Sequence, residues 1–61
     1  MLLATIIAWY LINAQHQYVK DVPGPHQYVE SFQEAKKFDS QAAAEAEKQD
    51  GEQIGKLVRN H

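Results

Sequence analysis

The sequence predicts a small α+β domain in which one main α-helix packs on an antiparallel sheet of three to four strands. Two observations lead to this fold class. The pentapeptide at 16–20 (HQYVK) returns ten residues later at 26–30 (HQYVE), and a turn-forming DVPGP segment separates the two copies. Further along, the alanine-rich run at 41–49 has the composition of a helix. Because the chain has 61 residues, residues 1–61 are expected to form a single domain.

The composition limits how this domain is stabilised and what it binds. A chain of this size buries about 60% of the surface that its unfolded form exposes, so small domains often depend on disulfides, metals or oligomerisation. The sequence has no cysteine, which excludes disulfides and thiolate zinc sites and makes a homodimer the expected solution. The net charge of −2 and the six scattered basic residues argue against nucleic acid as a partner, because phosphate binding needs clustered Lys and Arg.

The first predicted element is a strand at about 4–13, because the run 1–12 is uncharged and its part from Thr5 to Ile12 is mostly β-branched and aromatic. As a helix, this run would span roughly 18 Å, whereas a bilayer core is about 30 Å thick, so a membrane anchor is disfavoured. A short core or interface helix and a membrane-associated segment remain the alternatives. Strand alternation divides the apolar residues between two faces. One face holds Ile7, Trp9 and Leu11, and the other holds Ile6, Ala8, Tyr10 and Ile12.

The two copies of the repeat are predicted to be the strands of a hairpin at about 16–30. With the linker placed symmetrically, Tyr18 lies opposite Tyr28, and such an aromatic pair contributes roughly 0.2–1 kcal/mol relative to an alanine pair. The same register separates His16 from His26 by roughly 13 Å. Since the ligands of one zinc ion each lie about 2 Å from it, the histidines do not predict a metal site, and no cofactor is expected.

A short helical turn and the main helix follow the hairpin. The turn is predicted at about 31–36, where Ser31 and the glutamate three residues later have the spacing of a capping box. The Asp-Ser pair at 39–40 offers an N-cap for the main helix at about 40–50, which contains the best helix formers of the chain. Gly51 supplies the left-handed residue that ends this helix.

The closing element is a strand at about 53–58. Strand alternation places Ile54, Lys56 and Val58 on one of its faces. Gly55 is expected to mark a bulge or a close backbone contact, because glycine offers no side chain that would pack in a strand.

The order WYLIN…QYVK…YVESFQEAKKFDSQAAAEAEKQ resembles a group of short phage and prophage proteins, and the resemblance covers residues 9–58. In that group, an aromatic-apolar strand and a QYVK-like strand precede an EAKKFDS element that leads into a helix. The most specific part here is 34–40 (EAKKFDS), while residues 1–7 depart from the pattern. The resemblance implies a small ααββ-type domain located in the cytoplasm of a host cell, and no activity comes with it.

The aromatic side chains of the strands are the candidate partner-binding residues, because aromatic residues are enriched at protein interfaces. Core packing is the alternative role for each of them. The acidic residues near the predicted helix are expected to form a solvated surface, or a negative patch that steers a basic partner. The candidate binding residues are Tyr18, Tyr28, Trp9 and Tyr10, and the acidic residues are Glu45, Glu47, Asp50 and Glu52.

The sequence favours a binding function over catalysis. It has no cysteine, only two serines, and glycines that are too widely separated for a phosphate-binding loop. Catalysis needs several groups held in a shielded pocket, which a domain of this size rarely provides, so we do not expect an enzyme. We expect a non-enzymatic protein-binding module of the phage accessory type that binds and modulates a host protein. The alternatives are a small membrane-associated protein anchored by residues 1–12 and a self-assembling structural protein.

Overall fold

The computed structural model describes residues 3–60, which form a four-stranded antiparallel sheet and one α-helix. The predicted small α+β fold is therefore confirmed. Along the chain the elements are β1 (Ala4–Ile12), β2 (Tyr18–Val19), β3 (Tyr28–Val29), a 3₁₀ turn (Phe32–Glu34), α1 (Gln41–Glu47) and β4 (Gln53–Asn60). In space the strands lie in the order β3-β2-β1-β4. The order along the chain differs from the ααββ order that the phage resemblance implies.

The apolar N-terminal run forms a strand. β1 covers nine residues from Ala4 to Ile12, which agrees with the strand expected at about 4–13 and excludes the alternative helix over those residues. Within the described part of the chain, no helix is both long and apolar enough to cross a bilayer. Residues 1 and 2 of the considered membrane anchor, and residue 61 of the predicted domain, lie outside the described residues.

β1 and β4 form the longest ladder of the sheet, and a bulge interrupts it. Ile6 pairs with Val58 while Ala8 pairs with Leu57, so β1 has one extra residue between them. Because neighbouring residues of β4 point to opposite faces, the bulge turns Ile6 to the face that holds Trp9. The prediction that Ile6 and Ala8 share a face is wrong for this reason.

The hydrophobic core lies between α1 and the C-terminal half of β1. Leu11 of β1 is fully buried there, and Ala44 is the buried residue of α1. With seven residues, α1 is only about 10 Å long, so it covers a part of the much longer β1–β4 ladder. The other core residues are Val19 and Phe38, and Trp9 and Ile54 pack against them.

The segment after the 3₁₀ turn brings Phe38 into this core. Ala35 forms an isolated bridge with Lys20, and Phe38 forms another with Trp9 of β1. Two backbone hydrogen bonds, of 3.0 and 2.8 Å, join Phe38 to Trp9. The N–H and C=O of Trp9 therefore point toward Phe38 and away from β4.

A side-chain cap is present at the start of α1 but absent at the 3₁₀ turn, where the sequence predicts a capping box. Ser40 caps α1, because its side chain accepts a hydrogen bond of 3.1 Å from the N–H of Ala43. Ser31 makes no side-chain cap, so the capping-box prediction is wrong. Its carbonyl instead accepts the N–H of Glu34 at 3.1 Å, which closes a single 3₁₀ turn.

The predictions for Gly51, before β4, and for Gly55, within β4, differ in their outcome. α1 ends at Glu47, so the prediction that Gly51 ends the helix is wrong. Gly51, with φ of +84°, instead shapes the turn that leads into β4. The close contact expected at Gly55 is confirmed, because a Cβ on this residue would collide with the ring of Tyr10.

The hairpin is displaced by one residue from the predicted register. Tyr18 pairs with Val29 and Val19 pairs with Tyr28, whereas a symmetrical linker predicts Tyr18 opposite Tyr28. A shift of one residue reverses the faces of a strand, so the two tyrosines lie on opposite faces of the hairpin. The prediction of a Tyr18–Tyr28 pair is therefore wrong.

A longer turn accounts for this displacement. The N–H of Lys20 donates to the carbonyl of Gln27 at 2.7 Å, so the turn consists of residues 21–26 and has one residue more than the symmetrical linker. Gly24 lies in this turn with φ of +90°, a conformation that glycine adopts without strain. His26 consequently lies outside the ladder, and its side chain contacts a carboxylate elsewhere in the molecule.

Candidate functional site

The carboxylate of Glu52 is buried, which is unusual for a charged side chain. Glu52 directly precedes β4, and its side chain has 0% exposure. Among residues 3–60, it is the one polar or charged residue that is buried. The prediction that it belongs to a solvated acidic surface is therefore wrong, and its burial requires hydrogen-bond donors close by.

Three donors surround this carboxylate. Its Oε2 accepts the hydroxyl of Tyr28 at 2.5 Å and lies 2.7 Å from Nδ1 of His26. Its Oε1 accepts the backbone N–H of Gln49 at 2.9 Å. Because an ionised carboxylate only accepts hydrogen bonds, His26 carries a hydrogen on Nδ1. We call Glu52, His26 and Tyr28 the carboxylate cluster.

The electrostatics of the carboxylate cluster favour an ionised Glu52. Burial raises the pKa of the Glu52 carboxyl, but the hydrogen bonds from Tyr28, His26 and Gln49 outweigh it, so this pKa lies below its usual value. The hydrogen bond to Glu52 raises the pKa of the Tyr28 hydroxyl, and burial and the negative charge of the carboxylate act in the same direction. At neutral pH the cluster therefore contains a carboxylate and a neutral tyrosine.

The hydrogen bonds of the carboxylate cluster connect the hairpin to the start of β4. β3 and β4 lie at opposite edges of the sheet, so hydrogen bonds from Tyr28 and His26 to Glu52 close the structure across it. Hydrogen bonds to a charged group typically contribute about 1.5–3 kcal/mol each. The carboxylate cluster therefore stabilises the packing of the hairpin against the start of β4.

The carboxylate–imidazole pair also has the geometry of a general base and its orienting group. The His26 side chain, however, is only 11% exposed. Three surface depressions, which lie beside Gln49, His16 and Trp9, contain no residue of the carboxylate cluster. Among residues 3–60, no group of three or more His, Cys, Asp or Glu side chains has an arrangement suited to a metal ion.

Two of the four predicted binding residues pack in an aromatic cluster. Tyr10, Tyr18 and Phe32 contact one another edge to face, with ring centroids 5.4, 5.2 and 5.1 Å apart. Such pairs contribute about 0.5–1.5 kcal/mol beyond their buried area. All three rings are half-buried. Their packing therefore leaves only part of each ring available to a partner.

The other two predicted binding residues lie apart from this cluster. Trp9 is half-buried and packs against the core. Tyr28 is 39% exposed, and its hydroxyl is bound to Glu52. Because Tyr18 and Tyr28 lie on opposite faces of the hairpin, the four aromatic residues do not form one surface. Their role in partner binding stays a prediction.

Exposed apolar side chains are concentrated at one end of the β1–β4 ladder, which we call the arm (residues 3–7 and 57–60). α1 packs near Leu11 and Ile54 and leaves the arm uncovered. The molecule measures 41 × 22 × 19 Å and has a radius of gyration of 11.9 Å, whereas about 10.5 Å is expected for a compact chain of this length. The exposed side chains of the arm are Leu3 (63%), Ile7 (48%), Ile6 (44%) and Val58 (43%).

Sequence reasoning misses both the carboxylate cluster and the arm. The cluster joins residues 24 and 26 positions apart, and no local pattern indicates such a contact. One available signal is that His26 and Tyr28 are two residues apart, which places two donors on the same side of an extended segment. The arm has a clearer signal, because both faces of the predicted first strand are apolar and a helix this short covers only part of one face.

Comparisons with protein-family models, with curated proteins and with solved structures returned no match.

Proposed function

We propose that this protein is a non-enzymatic protein-binding module and that the arm is its binding surface. The observation that carries this proposal is the concentration of exposed apolar side chains on the arm. Of the large apolar residues that are exposed in the described chain, only Tyr28 lies elsewhere. Contiguous apolar patches on a protein surface mark interaction sites, because their burial against a partner removes apolar area from water.

The chemistry of the arm defines the partner surface that fits it. The arm is a narrow two-stranded ribbon, so its apolar side chains enter a cleft more readily than they cover a flat surface. Its one charged residue in the described chain is Arg59, and it contains no acidic residue. An apolar cleft with carboxylates at its rim is therefore the complementary surface, since opposite charges steer association.

The body of the protein holds the arm in a defined position. The aromatic cluster and the buried Leu11 anchor β1 at the base of the arm. The contact of Tyr10 with Gly55 joins β1 closely to β4 at the same level. A ribbon that is ordered before binding loses less conformational entropy on association than a flexible segment.

The phage resemblance supports a host protein as the partner and the host cytoplasm as the location, and both are part of the proposal. We also propose that the protein forms a homodimer. The support is the small core, in which Leu11, Val19, Phe38 and Ala44 are the clustered buried side chains. A domain this small gains stability by covering apolar surface with a second copy.

Ile7→Asp tests the arm as the binding surface. Ile7 is the bulge residue and is 48% exposed, so an aspartate there is compatible with the fold. The matched control is Ala42→Asp, which adds the same charge to an exposed position in the first turn of α1, where the helix dipole tolerates it. In capture from bacterial lysate, we expect one protein to bind the wild type and Ala42→Asp and to bind Ile7→Asp at least about tenfold less.

The capture experiment has two outcomes that contradict the proposal. If Ile7→Asp retains every partner of the wild type, the arm is not the binding surface. If Tyr28→Ala releases the partner and Ile7→Asp does not, the hairpin is the binding surface. Circular dichroism of each variant confirms that the loss of binding does not come from unfolding.

A further inference from the structure

The outer edge of β4 is available for pairing. β4 is the last strand of the sheet order, so within residues 3–60 no strand lies against its outer side. It has eight residues, and an edge strand of this length is a template for pairing with another chain.

The backbone hydrogen bonds of Trp9 show which groups of β4 face outward. Both backbone groups of Trp9 bind Phe38, so Trp9 and Lys56 form a non-hydrogen-bonded pair of the β1–β4 ladder. The N–H and C=O of Lys56 therefore point away from β1. Since the bulge belongs to β1, the alternation along β4 is regular, and Ile54 and Val58 also direct their backbone groups outward.

We propose that a second copy of this chain occupies the outer edge of β4 and pairs with it antiparallel about a two-fold axis at Leu57. This inference rests on the homodimer of the proposed function and assigns its surface and register. Lys56 pairs with Val58 of the other copy through outward-facing backbone groups, and the reverse pair forms by symmetry. Two four-stranded sheets thereby become one continuous sheet.

Four registers of this kind pair at least five residues of β4, and the repulsion between like charges selects the axis at Leu57 among them. A two-fold axis at Lys56 places two ammonium groups directly opposite each other, which is destabilising. Axes at Gly55 or at Val58 avoid this repulsion but pair only residues 53–57 or 56–60. The axis at Leu57 pairs residues 54–60 of each copy and places Arg59 opposite an uncharged glycine, Gly55.

The expected dimer is weak and leaves the arm accessible. Edge pairing of two short strands buries less than the roughly 1,200 Å² of a stable interface, so we expect dissociation between about 1 μM and 1 mM. Ile6 and Val58 share one face of the sheet, and this face stays open on both copies. The dimer therefore presents two arm surfaces to the protein partner.

Two variants of one position test the register. Val58→Glu and Val58→Lys both remove the same apolar side chain, but they place opposite charges against Lys56 of the other copy. We expect the dissociation constant of Val58→Lys to be at least about tenfold higher than that of Val58→Glu, because two pairs change sign. The double variant Lys56→Glu/Val58→Lys restores opposite charges and is expected to dimerise like Val58→Glu. Sedimentation equilibrium measures each constant.

A monomer at every concentration up to about 1 mM overturns the inference, and so do equal dissociation constants for Val58→Glu and Val58→Lys. If the variants do not fold, amide exchange of the wild type decides: the N–H groups of Lys56 and Val58 must become protected as the concentration rises. Captured partners that still require Ile7 while the protein stays monomeric contradict the dimer and leave the arm intact as the proposed protein-binding surface. A dimer that captures no partner supports the β4 pairing and contradicts the arm as a protein-binding surface.

Discussion

At the scale of single residues, Glu52 links the stability of the fold to pH. Its folded-state pKa is below the usual value, because hydrogen bonds from Tyr28, His26 and Gln49 outweigh its burial. A carboxyl group of this kind binds its proton more weakly in the folded state than in the unfolded state. Its contribution to stability is therefore present above the unfolded-state pKa of about 4.3 and is lost as the pH falls through the folded-state pKa.

Glu52→Gln isolates this contribution. We expect the variant to lose about 1–3 kcal/mol of unfolding free energy at pH 7, because the uncharged amide has a single acceptor oxygen and cannot accept hydrogen bonds from all three donors as the carboxylate does. The difference from the wild type is expected to shrink as the pH falls below about 4.3, where the carboxyl group of the unfolded wild type becomes protonated, and to level off once the pH lies below the folded-state pKa. Urea unfolding of both proteins at neutral and acidic pH measures the difference.

Glu45→Gln is the control for this substitution, because Glu45 lies on the exposed side of α1. We expect its stability to stay close to that of the wild type at every pH. A loss in Glu52→Gln that is the same at neutral and acidic pH would contradict the assignment of an ionised carboxylate.

At the scale of elements, local signals succeed where the interaction itself is local. Ser40 lies three residues from the N–H that it caps, so its sequence position contains the whole interaction. Ser31 has the same local signal, yet its side chain makes no cap because the following turn is 3₁₀ and only three residues long. The two serines therefore form a matched pair in which only one hydroxyl stabilises a helix.

Ser40→Ala and Ser31→Ala measure this difference. We expect Ser40→Ala to cost about 1 kcal/mol, because the N–H of Ala43 loses its acceptor. Ser31→Ala is expected to change stability by less than about 0.5 kcal/mol, as an exposed residue without a cap. Thermal or urea unfolding of the two variants gives the comparison. Equal losses would show that Ser31 makes a cap in solution.

The length of the hairpin turn decides what the sequence does not predict about these elements. The strand at β1, the cap at Ser40 and the close contact at Gly55 follow from local composition and were predicted. The hairpin register was not, because one additional turn residue reverses the faces of Tyr18 and Tyr28. That reversal is also what brings Tyr28 to Glu52, so an error in local register hides the carboxylate cluster as well.

At the scale of the whole molecule, apolar burial and apolar exposure are separated along the long axis. β1 passes from the exposed arm at Ile7 to the fully buried core at Leu11, a distance of four residues. The C-terminal end of β1 packs against α1 and the hairpin, whereas its N-terminal end, in the arm, is paired with β4. Folding therefore depends on one end of this strand, while the other end is available for a different role.

Leu11→Ala and Ile7→Ala test this division. Truncation of the fully buried Leu11 leaves a cavity and is expected to cost about 2–5 kcal/mol. Ile7 is 48% exposed, so its truncation is expected to cost about 1 kcal/mol or less. Urea unfolding at low micromolar concentration, where a weak dimer dissociates, compares the two variants with the wild type. If Leu11→Ala is too unstable to fold, Leu11→Met provides a milder change at the same site. Equal losses at both positions would mean that the arm is buried in the free monomer, and the surface on which the proposed binding depends would not exist.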